Sequence, residues 1–340
     1  MRFFHLPRAV PAMLGTLLLA RGMAVETDTR VGAAAGTGIQ AGAAEIPAAA
    51  AVKENGTAAP GPAVPGINGH RLITVPAGEY RVGGKGRPLN PPRTVRLTAY
   101  RIADAETTNA QFAVFVAATA YKTDAERRGS AHIFKYGLPE WKWLDTPGAC
   151  WRFPQGPDGT GEREGSGGHG GPDAVRDLPE HPVTCLSAAD AEAYARWAGG
   201  RLPTQSEWET AARAGADTDF PWGAEFNAAL ANTWDGVTHA RNSKADGWEF
   251  TAPVRRFPPN RWGLYDVIGN VFEFVSDLPV GIPVKPEQPL TSARGGSWWC
   301  SARTCHAFNL LDNGTMPKHG SLPNQGFRMV FDEGNAKTGK

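Results

Sequence analysis

Two of the four cysteines, Cys300 and Cys305, lie in one C-x4-C segment directly behind a Gly-Gly-Ser turn that ends at Ser297. Two thiolates this close in sequence can bind a soft metal ion or alternate between a dithiol and a disulfide. A small structural disulfide is the alternative, because exported proteins often contain one. The segment therefore predicts redox or soft-metal chemistry, or else a crosslink that only stabilises the loop.

The composition predicts a globular chain with many turns. Its 340 residues are enough for one large domain or two modest ones. The chain contains 41 Gly and 28 Pro, but also 11 Trp and 15 Phe, so large apolar side chains are present for a core. Lys and Arg number 35 against 34 Asp and Glu, so the net charge gives no reason to expect nucleic acid or an anionic membrane as a partner.

The N-terminus has the pattern of an export signal. Residues 9–20 form an apolar run behind a basic start, and small residues at 22–24 offer a cleavage site. The run is too short to span a bilayer comfortably, so a cleaved signal peptide is expected rather than an anchor, and an apolar start without function is the alternative. We therefore expect a periplasmic or secreted protein with no membrane contact after cleavage. The predicted organisation is a signal peptide over 1–24, an Ala/Gly/Pro-rich linker over 25–66, a folded domain over 67–334 and a tail over 335–340.

Capping signals predict three helices in the folded part. They run from 110 to 119 behind Thr108-Asn109, from 188 to 197 behind Ser187, and from 205 to 213 behind Thr204 with Glu207. Two strands are expected within 71–83 around a Pro-Ala-Gly turn, and one half-buried strand over 93–103. Residues 146–180 are expected to be loop, and only short strands and turns should follow residue 223.

Five segments together resemble the formylglycine-generating enzyme family, also called sulfatase-modifying factors. The resemblance runs in order over roughly residues 70–332 and implies one compact, irregular, mixed α/β domain related to the C-type lectin fold. The family includes catalytic oxidases, paralogues without the cysteines, siderophore-maturation proteins and sulfoxide-forming domains, so membership alone does not settle activity. The segments are 201–209 (RLPTQSEWE), 220–223 (FPWG), 260–273 (NRWGLYDVIGNVFE), 294–297 (RGGS) and 324–328 (NQGFR).

The resemblance implies a catalytic role for the thiol pair. Sulfatase-activating members carry Gly-Gly-Ser-x-x-Cys-x4-Cys, and this chain keeps that spacing in Ser297, Cys300 and Cys305. By resemblance, the two thiolates bind copper(I), a substrate cysteine adds a third sulfur, and dioxygen is activated to give formylglycine. Copper(I) is soft and prefers thiolate, and the Ser297 hydroxyl could hold dioxygen or its reduced form by hydrogen bonding. The indoles of Trp298 and Trp299 could exclude water, although aromatic residues beside a turn are more often part of the core.

Two calcium sites are also implied by the resemblance. Oxygen ligands at close spacing suit calcium and suit an irregular fold that needs internal ties, whereas a single Asp or Glu is more often a solvated charge. In each set, two residues are expected to contribute backbone carbonyls: Thr233 and Trp248 in the first, Gly269 and Val271 in the second. The two sets are Asn232, Thr233, Asp246 and Trp248, and Asp266, Gly269, Val271 and Glu273.

The chain departs from the family pattern after the second cysteine. Sulfatase-activating members continue with tyrosines and arginines, whereas residues 306–313 (HAFNLLDN) contain no arginine. This difference puts recognition of a Cys-x-Pro-x-Arg segment in doubt and indicates a different substrate. His306 could be an added ligand or base, although a lone His is more often a hydrogen-bonded wall residue. Cys150 and Cys185 do not match the family's disulfide positions, and they could either pair with each other or remain buried thiols.

Three functions remain open from the sequence. The leading hypothesis is an exported, copper-dependent oxidase that uses dioxygen on a cysteine in a target protein, such as a sulfatase, or on a small thiol. The second is an exported family member without formylglycine chemistry, such as a siderophore maturation protein of the pyoverdine type. The third is a non-catalytic, lectin-like binding module for a peptide or glycan.

Overall fold

The computed structural model describes most of the folded part of the chain, and these residues belong to one compact unit, Lys53–Lys340. The predicted signal peptide, nearly all of the predicted linker and the predicted tail lie outside the described residues. In the part that is described, no helix is both long and apolar enough to cross a membrane. The described residues are 64–65, 67–139, 142–157, 171–283, 285–301, 305 and 308–333.

Short strands and short helices alternate with long irregular segments, which confirms the predicted mixed α/β fold with little regular structure. The helices are α1 (Asn109–Thr119), α2 (Asp124–Arg128), α3 (Ala174–Asp177), α4 (Ala188–Trp197) and α5 (Gln205–Arg213). The strands are β1 (Val64–Pro65), β2 (Arg71–Val75), β3 (Gly78–Val82), β4 (Arg93–Leu97), β5 (Tyr100–Ala103), β6 (Ser130–Ile133), β7 (Leu144–Pro147), β8 (Phe272–Val275), β9 (Leu290–Arg294), β10 (Gly314–Pro317), β11 (Gln325–Gly326) and β12 (Val330–Asp332).

Two four-stranded sheets organise the fold. One has the order β1-β2-β5-β12 and joins the start of the domain to its end. The other has the order β10-β9-β8-β11, in which β11 runs parallel to β8 with Gln325 opposite Phe272. This second sheet matters for the site because β9 leads directly into the Gly-Gly-Ser turn, while β11 brings the NQGFR segment alongside.

The three predicted helices are confirmed, with their caps. Thr108, Ser187 and Thr204 each accept a hydrogen bond from the backbone of the third helical residue, and each closes a capping box. Helix α5 is buried along most of its length and contributes the Trp208 indole to one apolar cluster of the core. A second cluster packs α1 against α4 through Phe112 and Tyr194, whose rings lie 5.7 Å apart.

Two secondary-structure predictions, one of a strand and one of a loop, need correction. The single strand expected over 93–103 is two strands, because β4 pairs with β3 while β5 pairs with β2 and β12. Alternation of polar and apolar residues reports which face of a strand is buried but not which partner it pairs with, so the crossing between sheets leaves no sequence signal. The region expected to be loop over 146–180 contains α3 and the end of β7.

Candidate active site

The turn before the thiol pair is fixed by glycine. Gly295 and Gly296 follow β9 with φ angles of +87° and +79°, which side chains rarely adopt. A Cβ at Gly295 would lie 2.8 Å from the Val267 carbonyl oxygen and 3.2 Å from the Trp208 ring. The close approach of backbone to α5 and to residue 267 therefore requires glycine, and it sets the direction in which the chain enters the thiol segment.

The structure brings the predicted catalytic residues together. The Cys300 and Cys305 sulfurs lie 2.7 Å apart, and both side chains are buried. The Ser297 hydroxyl oxygen lies 3.8 Å from the Cys300 sulfur. The backbone N–H of Cys300 donates to the Ser297 carbonyl oxygen (2.9 Å), and that of Cys305 donates to the Ser301 carbonyl oxygen (3.1 Å). His306 lies outside the described residues.

A residue with no role predicted from the sequence orients the serine. The Asn324 amide nitrogen donates to the Ser297 hydroxyl oxygen at 3.1 Å, and both side chains are buried. Asn324 is the first residue of the NQGFR segment and stands directly before β11. Its place in the NQGFR segment was the only indication of a role in the sequence. Its contact with Ser297 depends on the parallel pairing of β11 with β8.

The donor set at the thiol pair fits a soft metal ion. Burial, followed by the neighbouring Cys305 sulfur, raises the pKa of the Cys300 thiol well above its usual range, so that thiol holds its proton unless a cation replaces it. Within the described ranges, no three His, Cys, Asp or Glu side chains converge as a metal-binding group. Two sulfur donors favour a soft ion over a hard one.

The two indoles beside the turn belong to an aromatic cluster. Trp298 and Trp299 are 1% and 2% exposed, and they pack with Phe134 and Trp234. The Trp298 indole N–H donates to the Pro323 carbonyl oxygen at 3.1 Å. The two indoles form part of a buried aromatic cluster beside Cys300. This arrangement fits both a role in excluding water and an ordinary role in the core.

Two residues of the first predicted calcium set bond to the Asp246 carboxylate. Asp246 accepts hydrogen bonds from the backbone N–H groups of Thr233 (3.1 Å) and Trp248 (2.9 Å). Asn232 donates its amide to the Phe250 carbonyl oxygen at 2.8 Å and to the Asn270 side-chain oxygen at 3.0 Å. Burial is the main cause that raises the pKa of Asp246. Asp246 therefore ties Thr233 to Trp248 through their N–H groups, while the Asn232 side chain is directed to Phe250 and Asn270.

The second predicted set contains two buried carboxyl groups, those of Asp266 and Glu273. Glu273 accepts from the Trp208 indole at 2.7 Å and from the Arg328 guanidinium at 2.5 and 2.6 Å. Asp266 accepts from the Arg255 backbone N–H through one oxygen, and its other oxygen is buried with no hydrogen-bond partner among the described residues. Burial raises the pKa of Asp266 to about 7. An orphaned buried carboxylate oxygen is a fit for a bound cation.

A third buried carboxylate lies beside this set and was missed from the sequence. Glu106 accepts from the Asn270 amide at 2.7 Å and from the Val271 backbone N–H at 3.2 Å. Burial, then the charges of Asp266 and Glu273, raise the pKa of Glu106 well above its usual range. Glu106 precedes the Thr-Thr-Asn start of α1, and its distance in sequence from Asp266 and Glu273 hid its place beside them.

The backbone joins the two sets. Asn270 N–H donates to the Asn232 carbonyl oxygen at 2.9 Å, and Gly269 N–H donates to the Gly295 carbonyl oxygen at 2.9 Å. Gly269 has a φ of +80°, and a Cβ there would lie 2.2 Å from the Asn232 carbonyl oxygen. The predicted cation residues and the glycine turn of the thiol segment are therefore adjacent parts of one hydrogen-bonded framework.

The wall after the second cysteine is held by arginines from elsewhere in the chain. The buried Arg294 guanidinium donates to the Leu310 carbonyl oxygen (2.6 Å), the Asn313 side chain (2.7 Å) and the Glu209 carboxylate (2.8 Å). Arg87 pairs with Asp312 at 2.7 Å. These guanidinium groups are therefore committed to internal partners on the described part of this wall.

The other two cysteines lie in a different apolar cluster. Cys150 and Cys185 are free, buried thiols that pack with Ala125, Ala131 and Ile133. The Cys185 thiol donates to the Pro154 carbonyl oxygen at 3.4 Å. Burial raises the pKa of both thiols.

The fold and the site define an irregular α/β domain with a buried cysteine pair behind a Gly-Gly-Ser turn. Residues 60–333 match the family described as the sulfatase-modifying factor enzyme 1-like domain. The formylglycine-generating enzyme of Thermomonospora curvata is 35% identical over 297 residues, covering 77% of this chain and 93% of the relative. That of Streptomyces coelicolor is 37% identical over 321 residues, covering 84% and 96%. The chain belongs to the formylglycine-generating enzyme (sulfatase-modifying factor) family.

Two further comparisons bear on how far that membership reaches. A mouse relative named inactive C-alpha-formylglycine-generating enzyme 2 is 33% identical over 293 residues, covering 78% of this chain and 87% of the relative. The solved structure of PvdO from Pseudomonas aeruginosa aligns with a TM-score of 0.52 at 21% identity, over 77% of this chain and 94% of that one. The structural likeness shows the fold alone, and the family as a whole contains both active and inactive members.

Proposed function

We propose that this protein is a copper-dependent oxidase that uses dioxygen to convert a cysteine side chain to formylglycine in a target protein, or oxidises a related thiol. The observation that carries the proposal is the buried Cys300–Cys305 pair in the family's spacing, with the Ser297 hydroxyl 3.8 Å from Cys300. The relatives named formylglycine-generating enzymes support the same reading.

In this proposal, Cys300 and Cys305 hold copper(I), which supplies the activation of dioxygen when it is bound. Burial of both sulfurs keeps bulk water from the group that reacts there. The Ser297 hydroxyl, oriented by Asn324, is placed to donate a hydrogen bond to an oxygen atom at this position. The aromatic wall of Trp298 and Trp299 limits solvent access on the adjoining side.

The chemistry sets the co-reactants. Converting –CH₂–SH to an aldehyde replaces sulfur by oxygen and removes two electrons from the carbon, and water supplies the oxygen as sulfide leaves. Reduction of dioxygen to water takes four electrons, so a second two-electron donor such as a thiol is required. We therefore propose a thiol reductant as a partner besides dioxygen and the cysteine-containing substrate.

The altered wall favours a substrate other than an ordinary sulfatase segment. Arg294 and Arg87 lie against residues 308–313 and bond to partners within the protein, so their guanidinium groups are poorly available to bind a substrate peptide.

The second candidate is an exported family member without formylglycine chemistry, such as a siderophore maturation protein. Export itself rests on the sequence pattern of residues 1–24 and is part of the proposal.

We also propose that calcium binds as a structural cation at the two predicted calcium sets. The buried Asp266 oxygen that has no hydrogen-bond partner among the described residues supports this proposal.

The test has two stages. An anaerobic titration with copper(I) should show one ion bound per chain. Oxygen uptake is then measured with cysteine-containing peptides and small thiols in the presence of dithiothreitol, with mass spectrometry for the aldehyde. Copper binding followed by oxygen uptake supports an oxidase, whereas copper binding without uptake favours the second candidate. Absence of copper binding to the reduced protein would contradict the proposed function.

A further inference from the structure

The loop between the two halves of the first predicted calcium set also reaches the thiol segment. His239 is buried at 4% exposure, and its ring stacks on the Trp299 ring with centroids 3.6 Å apart and an interplanar angle of 3°. The His239 Nε2–H donates to the Trp299 carbonyl oxygen at 2.7 Å. One side chain therefore fixes both the ring and the backbone of the residue that precedes Cys300.

A second contact from the same loop holds the next peptide. The Trp234 backbone N–H donates to the Cys300 carbonyl oxygen at 2.9 Å. The Trp234 indole N–H donates to the Thr238 carbonyl oxygen at 2.9 Å, and its ring lies 4.9 Å from the His239 ring. Trp234 thus closes the turn that presents His239, and the two residues clamp successive carbonyl groups on either side of the Cys300 α-carbon.

We propose that His239 is a positioning residue for the thiol pair. It acts through Trp299, whose stacked ring and fixed carbonyl set where the Cys300 sulfur lies relative to Cys305. Neither contact touches a sulfur, so the role is indirect. Through Thr233 and Trp248, which bond to Asp246 in the same loop, the conformation of residues 232–248 is transmitted to the thiol pair.

The first readout does not depend on metal or turnover. In the reduced, metal-free protein, the rate of Cys300 alkylation by iodoacetamide reports how often the buried thiol becomes accessible. His239→Ala should raise that rate about 10-fold or more, the size expected for one lost hydrogen bond and one lost ring contact. Alkylation of Cys150, measured by mass spectrometry in the same sample, should stay within about twofold, because it lies in another cluster.

The second readout is copper(I) affinity by competition with a chromophoric chelator. Residues that orient a ligand typically change metal affinity by 10–100-fold, so His239→Ala should weaken copper(I) binding by about 10-fold or more. His239→Phe keeps a stacking ring, and His239→Gln keeps a donor, so each should give an intermediate value in both assays. These two variants also decide the matter if His239→Ala does not fold.

His70 provides the matched control. It is also buried, at 2% exposure, and bonds to the Tyr194 hydroxyl at 3.0 Å in the second core cluster. His70→Ala should lower thermal stability without changing Cys300 alkylation or copper affinity. If the His239 variants match His70→Ala in both assays, or raise Cys150 and Cys300 alkylation equally, His239 is only structural and the proposal is overturned. Only the copper assay rests on the proposed function. If the wild type does not bind copper, the alkylation rates alone still decide whether His239 positions Cys300.

Discussion

The chain contains two buried cysteine pairs that differ in what surrounds them. Cys300 and Cys305 stand five positions apart in the sequence, with their sulfurs 2.7 Å apart and a serine hydroxyl held nearby by Asn324. Cys150 and Cys185 come from separate parts of the chain and pack among alanines and Ile133. Burial raises the thiol pKa in both places, so burial alone does not distinguish them. What distinguishes the first pair is the contact between its two sulfurs and the buried Ser297 hydroxyl beside Cys300.

The largest expected effect is loss of either sulfur of the first pair. Cys300→Ser or Cys305→Ser should reduce copper(I) affinity by more than about 100-fold, because a lost ligand exceeds the 10–100-fold effect of losing a residue that only orients one. Turnover should fall below detection with it. The measurement is anaerobic copper titration followed by oxygen uptake. Wild-type affinity and turnover in the double variant would remove the copper assignment.

Removal of the serine hydroxyl should affect turnover but not metal binding. Ser297→Ala leaves both sulfurs in place, so copper(I) affinity should stay within about threefold of the wild type. Loss of one donor to a reacting oxygen typically costs about 10²–10³ in kcat. Asn324→Ala, which only misorients the hydroxyl, should give a smaller decrease in the same direction. A Ser297→Ala enzyme with normal kcat would show that the Ser297 hydroxyl does not contribute to catalysis.

The altered wall should make a sulfatase-type peptide a poor substrate. Two lost charge-assisted hydrogen bonds, each worth roughly 1.5–3 kcal/mol, would lower kcat/KM on the order of a hundredfold or more. The comparison is kcat/KM on one Cys-x-Pro-x-Arg peptide for this protein and for the Thermomonospora curvata relative under identical copper and reductant. Equal values would mean that the departure over 306–313 is neutral and that ordinary sulfatase activation is the function.

Calcium removal tests the framework that supports the first pair. Chelation should lower the melting temperature by roughly 5–10 °C, because an ion that binds only the folded state stabilises it by mass action. Asp266→Asn gives a sign test, since its orphaned oxygen lies near the charges of Glu106 and Glu273. With a bound cation the substitution destabilises, whereas without one it removes repulsion and is neutral or stabilising. Unchanged melting in chelator, with no calcium in elemental analysis, would remove both sets.

Sequence reasoning predicted the helices and the candidate residues but not the contacts that support them. The capping patterns are local and predicted α1, α4 and α5, while the resemblance to the family motif singled out Ser297, Cys300 and Cys305, which the structure places close together. Asn324, Glu106 and His239 act across long sequence separations, through pairing of β11 with β8 or through irregular loops. Such contacts leave no periodic signal, because irregular backbone is fixed by individual hydrogen bonds rather than by a repeating pattern.

The smallest effects should come from the second cysteine pair, and they complete the contrast. Cys150→Ala and Cys185→Ala remove thiols that contact apolar side chains and one backbone carbonyl, so each should cost about 1 kcal/mol of stability. Cys185→Ala should cost more, since Cys185 is 0% exposed and Cys150 is 8% exposed. Copper(I) affinity and turnover should stay at wild-type values in both, because the two residues belong to a separate apolar cluster. Denaturant unfolding and the copper titration measure the two halves of this expectation. A variant that keeps its stability but loses copper binding or turnover would show that Cys150 or Cys185 affects the Cys300–Cys305 site. The functional difference between the two pairs could then not be explained by their local surroundings alone.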